Sequence, residues 1–367
     1  MKFKRYTLSE LATIKYGKNQ KKVVTDDKII PIYGTGGLMG YATTSLYDKP
    51  SVLIGRKGSI GKVKYVEHPF WTVDTLFYTV INTDIVIPKY LFYSMSLIDL
   101  NIYNEGTTIP SLRTETLNRI ELNIPSIEDQ ELALSCLNPI DEKIELNNAI
   151  NNNLEQQAQA IFINELLSLK TSPDGWKKAS LIDIADYLNG LAMQKYHPTD
   201  DEIGIPVLKI KELRQGCCDN NSELCSPNIK SEYIIRDGDV IFSWSGSLLV
   251  DFWCGGVCGL NQHLFKVTSS NYDKWFYYSW TKHHLDHFIS VAADKATTMG
   301  HIKRGELAKA EVFIPNESDY SRIGALLQPI YDLIISNRIE NKKLALLRNT
   351  LLPKLMSGEL DVSNIAL

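Results

Sequence analysis

The residues best suited to chemistry in this chain of 367 lie on one glycine-rich stretch, Gly55-Arg56-Lys57-Gly58-Ser59-Ile60-Gly61-Lys62. Glycine lets a backbone approach a phosphate closely, and Arg, Lys and Ser supply donors. The stretch is not a nucleotide-binding P-loop. That loop needs four residues between its glycines, then Lys and Ser or Thr, so that backbone amides cradle phosphate. Here five residues separate Gly55 from Gly61, and Val63 follows Lys62. Gly34, Gly36 and Gly40 miss the dinucleotide-binding spacing by one residue. Cys254 and Cys258 stand at a permissible zinc spacing, but Cys217, Cys218 and Cys225 make no regular second pair. No metal site is therefore expected. His283 and His287 are one helical turn apart on a segment rich in Trp and Tyr, which favours a surface or interface role over chelation.

Nucleic-acid contact fits these residues better than catalysis. Arg matches guanine bidentately and Lys supplies charge to phosphate. Arg56, Lys57, Ser59 and Lys62 are the first candidates, joined by Lys18, Tyr33, Thr35, Thr107, Thr108 and Arg113. The later half of the chain offers Asn261, Gln262 and His263, whose side chains carry base-edge donors and acceptors. It also offers Lys211, Ser243 and Ser245, and a polar-basic cluster of Lys295, Thr297, Thr298, His301, Lys303 and Arg304 that parallels Thr107–Arg113. Charge limits the reading. The chain has a net charge of −4, but residues 1–125 hold 16 Lys/Arg against 11 Asp/Glu and residues 126–367 hold 23 against 32. DNA contact must then be local or assisted by a basic partner.

These residues are positioned by a chain that repeats itself. Ile140, Ile144, Asn147, Asn151 and Leu154 recur as Ile330, Ile334, Asn337, Asn341 and Leu344, an offset of 190 at every position that Pro139 and Pro329 also obey. Leu8-Ser9-Glu10-Leu11-Ala12 answers Leu181-Ile182-Asp183-Ile184-Ala185, closing in Gly17 and Gly190 at an offset of 173, so the second copy carries an insertion. The period far exceeds the roughly 20–50 residues of solenoid units. It describes a duplicated mixed domain followed by a helix.

In the first copy the pattern predicts a short helix over Leu8–Ile14, strands over Ser51–Ile54, Lys62–Val66 and Leu76–Ile81, and a helix over Pro88–Leu97. From Ser126 acidic residues open a long helix. Pro139 should end it, kink it or open the next. Apolar residues at 140, 144, 154, 158 and 161 have coiled-coil spacing. The second helix runs over about 318–356, its seam continuing through Leu351 and Leu355. Two such stripes should pack antiparallel. The four asparagines then either lie on the seam, fixing register at a cost in stability, or face outward or toward another protein. The expected division is a domain over 1–125, a helical region over 126–170, a second domain over 171–316, a helix over 317–357 and a tail over 358–367.

Hydrophobic content of 44% with 22% charged residues is ordinary for a soluble protein. No run approaches the roughly 18 apolar residues of a membrane span. The start, Met1-Lys2-Phe3-Lys4-Arg5-Tyr6, has no apolar run behind it, so a cytoplasmic location with reduced cysteines is expected.

Both copies together resemble the specificity (S) subunit of type I restriction–modification systems, the HsdS family. The resemblance rests on Val52-Leu53-Ile54-Gly55 through Lys62-Val63, on Gly106-Thr107-Thr108-Ile109-Pro110-Ser111-Leu112, and on Ile124-Pro125 with Asp129-Gln130. It rests also on Pro139–Ile144 with Leu154–Phe162, and on the ending Leu352-Pro353-Lys354-Leu355-Met356-Ser357-Gly358-Glu359-Leu360. It implies an α+β fold: two mixed α/β target recognition domains separated by two long antiparallel coiled-coil helices in an internal pseudo-twofold repeat. It implies a non-catalytic subunit that reads a split, asymmetric double-stranded DNA target and docks two methyltransferase (M) subunits and restriction (R) subunits. S-adenosylmethionine, ATP and Mg would then sit on those partners, with no cofactor in this chain. Ser243-Trp244-Ser245-Gly246-Ser247 departs from Gly55–Gly61, as domains that read different bases would. The rival readings are a stand-alone DNA methyltransferase, which the missing Asp/Asn-Pro-Pro-Tyr/Phe stretch argues against, and a coiled-coil scaffold that never touches DNA.

Overall fold

The computed structural model describes residues 1–168, 173–294, 302 and 304–362. The chain divides into two compact units, Met1–Glu142 with Leu346–Leu367, and Lys143–Ala345. Each long helix contributes one part to each unit.

Both repeated domains begin alike. Thr7 N donates to Glu10 Oε2 at 2.7 Å and Ser180 N donates to Asp183 Oδ2 at 2.7 Å. These reciprocal caps open one-turn helices, Leu8–Leu11 and Leu181–Ile184. The first is shorter than the expected Leu8–Ile14. From Ala12 the backbone pairs with Leu76–Ile81 instead, Ala12 opposite Ile81 and Tyr16 opposite Phe77. Ala12 and Ile14 are buried while Thr13 and Lys15 face out, the alternation of a half-buried strand.

The sheets are duplicated. An antiparallel sheet runs Ala12–Tyr16, Leu76–Ile81, Ser51–Gly55, Val63–Val66 in one unit, and Asp186–Asn189, Leu264–Thr268, Val240–Ser243, Leu249–Phe252 in the other. A two-stranded ribbon closes each domain, Lys4–Thr7 with Glu121–Ile124 and Lys177–Ser180 with Glu311–Ile314. A second sheet contains one parallel pair in each, Ile30–Gly34 beside Trp71–Thr72 and Ile205–Leu208 beside Cys258–Leu260.

The long helices are Ile127–Phe162 and Glu317–Ser357. Neither proline breaks them. Pro139 forfeits one backbone hydrogen bond and crowds the preceding turn, costing about 3 kcal/mol. Burial of Leu134, Leu137 and Ile140 on either side carries the helix through. Leu327 and Tyr331 do the same around Pro329. One core joins the first sheet to Ala133, Leu134, Leu137, Leu352 and Leu355. The other joins the second sheet to Ala158, Phe162, Ile323, Leu327 and Ile334.

Within the unit Lys143–Ala345 the two helices run antiparallel. Asn147 Nδ2 donates to Asn341 Oδ1 at 2.8 Å and to Glu340 Oε2 at 2.7 Å. Asn337 Nδ2 donates to Asn151 Oδ1 at 2.9 Å. Adding 190 to Asn147 and Asn151 gives Asn337 and Asn341, so exchanging the helices maps one pair onto the other. Asn147, Asn151 and Asn337 are buried and Asn341 half-buried. Ile144, Leu154, Ile330 and Leu344 are half-buried around this ladder, and Ile334 is buried. Further along, Arg338 donates to Glu155 at 2.8 Å and to Asp251 at 2.7 Å, tying both helices to the sheet.

Candidate nucleic-acid interface

In the first domain, strand Ser51–Gly55 delivers the chain into the loop that carries Arg56 to Lys62. That loop is laced to the Gly106–Leu112 loop. Gly58 N donates to the Pro110 carbonyl at 2.9 Å, Leu112 N donates to the Arg56 carbonyl at 2.9 Å, and Lys57 bridges Ser111. Asn104 Oδ1 accepts from the backbone amides of Gly106 and Ser111, at 2.9 Å each, and shapes the second loop. A Cβ on Gly55 would stand 2.2 Å from the Ser59 carbonyl oxygen, so no side chain fits there. Two segments about 50 residues apart in sequence are thus one construction.

Its surface roles divide. Arg56 is half-buried: its guanidinium donates to the Asp74 carbonyl at 2.8 Å and lies 5.1 Å from the Tyr16 ring centre. Arg113 pairs with Glu105 at 3.1 Å. Lys18, Lys57, Ser59, Lys62, Thr107 and Thr108 are exposed. A cleft of about 700 Å³ brings the loops at Gly34 and Gly55 together, lined by Tyr33, Thr35, Ser59, Lys62, Lys64 and Asn101. Lys64 Nζ stands 3.8 Å over the Tyr33 ring, and Tyr33 Oη shares a hydrogen bond with His68 Nε2 at 3.2 Å. Burial raises the Tyr33 phenol above its ordinary pKa and lowers the Lys64 ammonium below its own. Lys64 was not among the sequence candidates. Its position two residues after Lys62 was the available signal, because alternate residues of an extended chain share a face.

In the second domain the candidates separate by burial. Ser243 is fully buried, its hydroxyl donating to the Ser247 carbonyl at 2.9 Å. Ser245 Oγ lies 3.2 Å from His263 Nδ1. Asn261 is also buried, and its Oδ1 accepts from His263 N at 3.2 Å. These three groups build the loop. Gln262 and His263 are half-buried beside them. Lys211 is exposed and pairs with Asp219 at 3.3 Å, and Arg304 is exposed on helix Arg304–Lys309. Lys295, Thr297, Thr298, His301 and Lys303 lie outside the described residues.

Among the described residues no group of three His, Cys, Asp or Glu could hold a metal ion. Cys218 and Cys258 approach to 3.7 Å between sulfurs, while Cys225 and Cys254 are buried singly. His283 and His287 fall on separate helices, Lys274–His283 and Leu285–Asp294. Burial holds the His283 imidazole below its usual pKa. No helix of the described residues is long and apolar enough to cross a membrane.

Two domains of matching sheet order, each followed by a long helix, define a duplicated α+β protein, and the first of them carries a glycine-lined cleft. The model of the type I restriction modification DNA specificity domain matches residues 1–156 and again 173–347, and the chain belongs to that family. It is 26% identical over 351 residues to the type I restriction enzyme MjaIX specificity subunit of Methanocaldococcus jannaschii, covering 87% of this chain and 80% of that one. It is 21% identical over 361 residues to the HindI specificity subunit of Haemophilus influenzae, covering 76% and 79%. The crystal structure of the type I restriction–modification S subunit from M. genitalium superposes with a TM-score of 0.60 at 15% identity, covering 97% of this chain and 96% of that one. The fold is therefore that of an S subunit.

Proposed function

We propose that this chain is the subunit that gives a type I restriction–modification complex its DNA sequence specificity, each domain reading one half of a split target. The observation that carries the reading is the first-domain cleft. Its lysines, Lys62 and Lys64, form no ion pair among the described residues, and its glycine turns bring backbone to the surface. Free cations beside close backbone suit a DNA groove, where a lysine can meet phosphate oxygens or read the O6 and N7 edge of guanine. The family is defined by DNA specificity and not by catalysis.

The long helices present Leu146, Ile150, Leu326, Leu333, Leu346 and Leu347 to solvent. That many exposed leucine and isoleucine side chains on two helices supports their use as a docking surface. Methyltransferase subunits are the proposed occupants, with restriction subunits joining the assembly. S-adenosylmethionine, ATP and Mg chemistry is assigned to those partners.

The test is methylome sequencing of cells that carry the complex with Lys62→Ala and Lys64→Ala together. Methylation should weaken on sites through altered preference at one half only, the other half being read as before. Equal loss of preference at both halves, with the fold intact, would contradict one domain reading one half.

A further inference from the structure

The two domains carry equivalent segments of opposite charge. Gly17 and Gly190 occupy one structural position. Gly17 N donates to the Leu76 carbonyl at 2.9 Å and Gly190 N to the Leu264 carbonyl at 3.0 Å. A Cβ would meet the Val73 carbonyl oxygen at 2.0 Å in the first domain and the Asn261 carbonyl oxygen at 2.2 Å in the second. From each glycine the chain crosses to the strand of the parallel pair, Ile30–Gly34 or Ile205–Leu208. In the first domain the crossing contains Lys18, Lys21, Lys22 and Lys28 against Asp26 and Asp27. In the second it contains Lys195 against Asp200, Asp201 and Glu202.

The ion pairs follow the same division. Of the 16 Lys/Arg in residues 1–125, Arg5, Lys89 and Arg113 pair with an acid among the described residues. Of those in 176–315, Lys178, Lys209, Lys211, Lys266, Lys282 and Lys309 do so. Lys18, Lys21 and Lys22 are exposed and have no acidic partner among the described residues. Their segment borders the cleft: Lys18 N donates to the Thr72 carbonyl at 2.8 Å, Trp71 Nε1 donates to the Lys18 carbonyl at 2.9 Å, and Thr72 pairs with Tyr33 of the cleft wall. Asn19 Oδ1 accepts from Lys21 N at 2.9 Å and turns the segment outward.

Resting on the DNA reading above, we infer that Lys18–Lys28 is a DNA-backbone anchor and that the first domain supplies the larger share of phosphate contact. Neutralising a lysine on a phosphate removes one released counterion, about 0.9 from the slope of log affinity against log salt.

The experiment uses the full chain assembled with its methyltransferase subunits and a duplex carrying the sequence that the complex methylates. Affinity is measured between about 50 and 200 mM salt. The triple variant Lys18→Gln, Lys21→Gln, Lys22→Gln should lower the slope by about 2–3, with base preference kept. The same positions changed to Arg should keep the slope. Lys177→Gln, Lys195→Gln, Lys230→Gln, at exposed second-domain lysines, should lower it by less than about 1. An unchanged slope in the first variant, or equal changes in both, overturns the inference while leaving the DNA reading intact. A wild-type complex that binds no DNA overturns the reading, and the inference with it.

Discussion

In the first domain the second sheet gains its extra strand, Val24–Thr25, on the outer side of Gly37–Ala42. In the second domain the extra strand, Ile234–Ile235, lies on the outer side of Cys258–Leu260, at the opposite edge. Between these edges the arrangement is the same: a parallel pair with one antiparallel neighbour, set on an antiparallel sheet of matching order. The duplicated parts are those that bury side chains or leave no room for them. The parts that differ are edges and crossings, where a changed residue meets solvent and costs little stability. A pair of readers for different DNA sequences can diverge there without losing the common framework.

The sharpest way to break that comparison is at its matched glycines. Gly17→Ala and Gly190→Ala should each destabilise their domain by about 3 kcal/mol or more, since the new methyl group overlaps a backbone carbonyl. Urea unfolding measures this. Tolerance at one glycine and not the other would show that the frameworks are less alike than their topology.

The helices offer a second contrast. Arg338 joins Glu155 to Asp251, whereas Arg348 meets Asp141, which Tyr93 and Lys89 also contact. Arg338→Ala strands two half-buried carboxylates and should cost about 2–3 kcal/mol. Arg348→Ala leaves Asp141 two other partners and should cost about half as much. Equal losses would mean that the backup partners contribute nothing.

The smallest effect is a pH dependence specific to the first unit. Burial raises the Asp141 carboxyl, but hydrogen bonds from Tyr93 and Arg348 and the charges of Lys89 and Arg348 outweigh it, leaving the pKa below its ordinary value. A depressed carboxylate pKa contributes stability that is present above the unfolded value, about 3.9. It is lost as pH falls through the lower folded value. Asp141→Asn should remove about 1 kcal/mol at neutral pH and flatten the acid limb of a stability–pH curve. An unaltered acid limb would remove Asp141 from the account.

Much of this architecture was legible in residue order. The 190-residue offset announced two like halves, and strand-like runs bounded by glycine-rich loops located Ser51–Gly55 and Leu76–Ile81 nearly to the residue. The helix through Pro139 was not legible, because local propensity argues for a break and only burial on both sides outweighs it. Ser243, Ser245 and Asn261 read as polar contact residues, yet their polar groups turn inward to the loop's own backbone and neighbours. Polarity says that a group needs a hydrogen-bond partner; the fold decides whether that partner is the protein itself.

By itself the sequence determined the duplication, the family, the long amphipathic helices and the asymmetry of charge, since these depend on residue type and spacing along one chain. Tertiary structure decided which segments meet. Gly34 and Gly55 share a cleft, Lys64 lies over Tyr33, and Asn104 clamps the Gly106–Ser111 loop, all through strand pairings and turns that bring distant positions together. Spacing within a segment encodes which way side chains point, because backbone periodicity is local. Contact between segments depends on which sheet orders and loop geometries leave buried polar groups paired and apolar surface covered, and those are satisfied only by the chain as a whole.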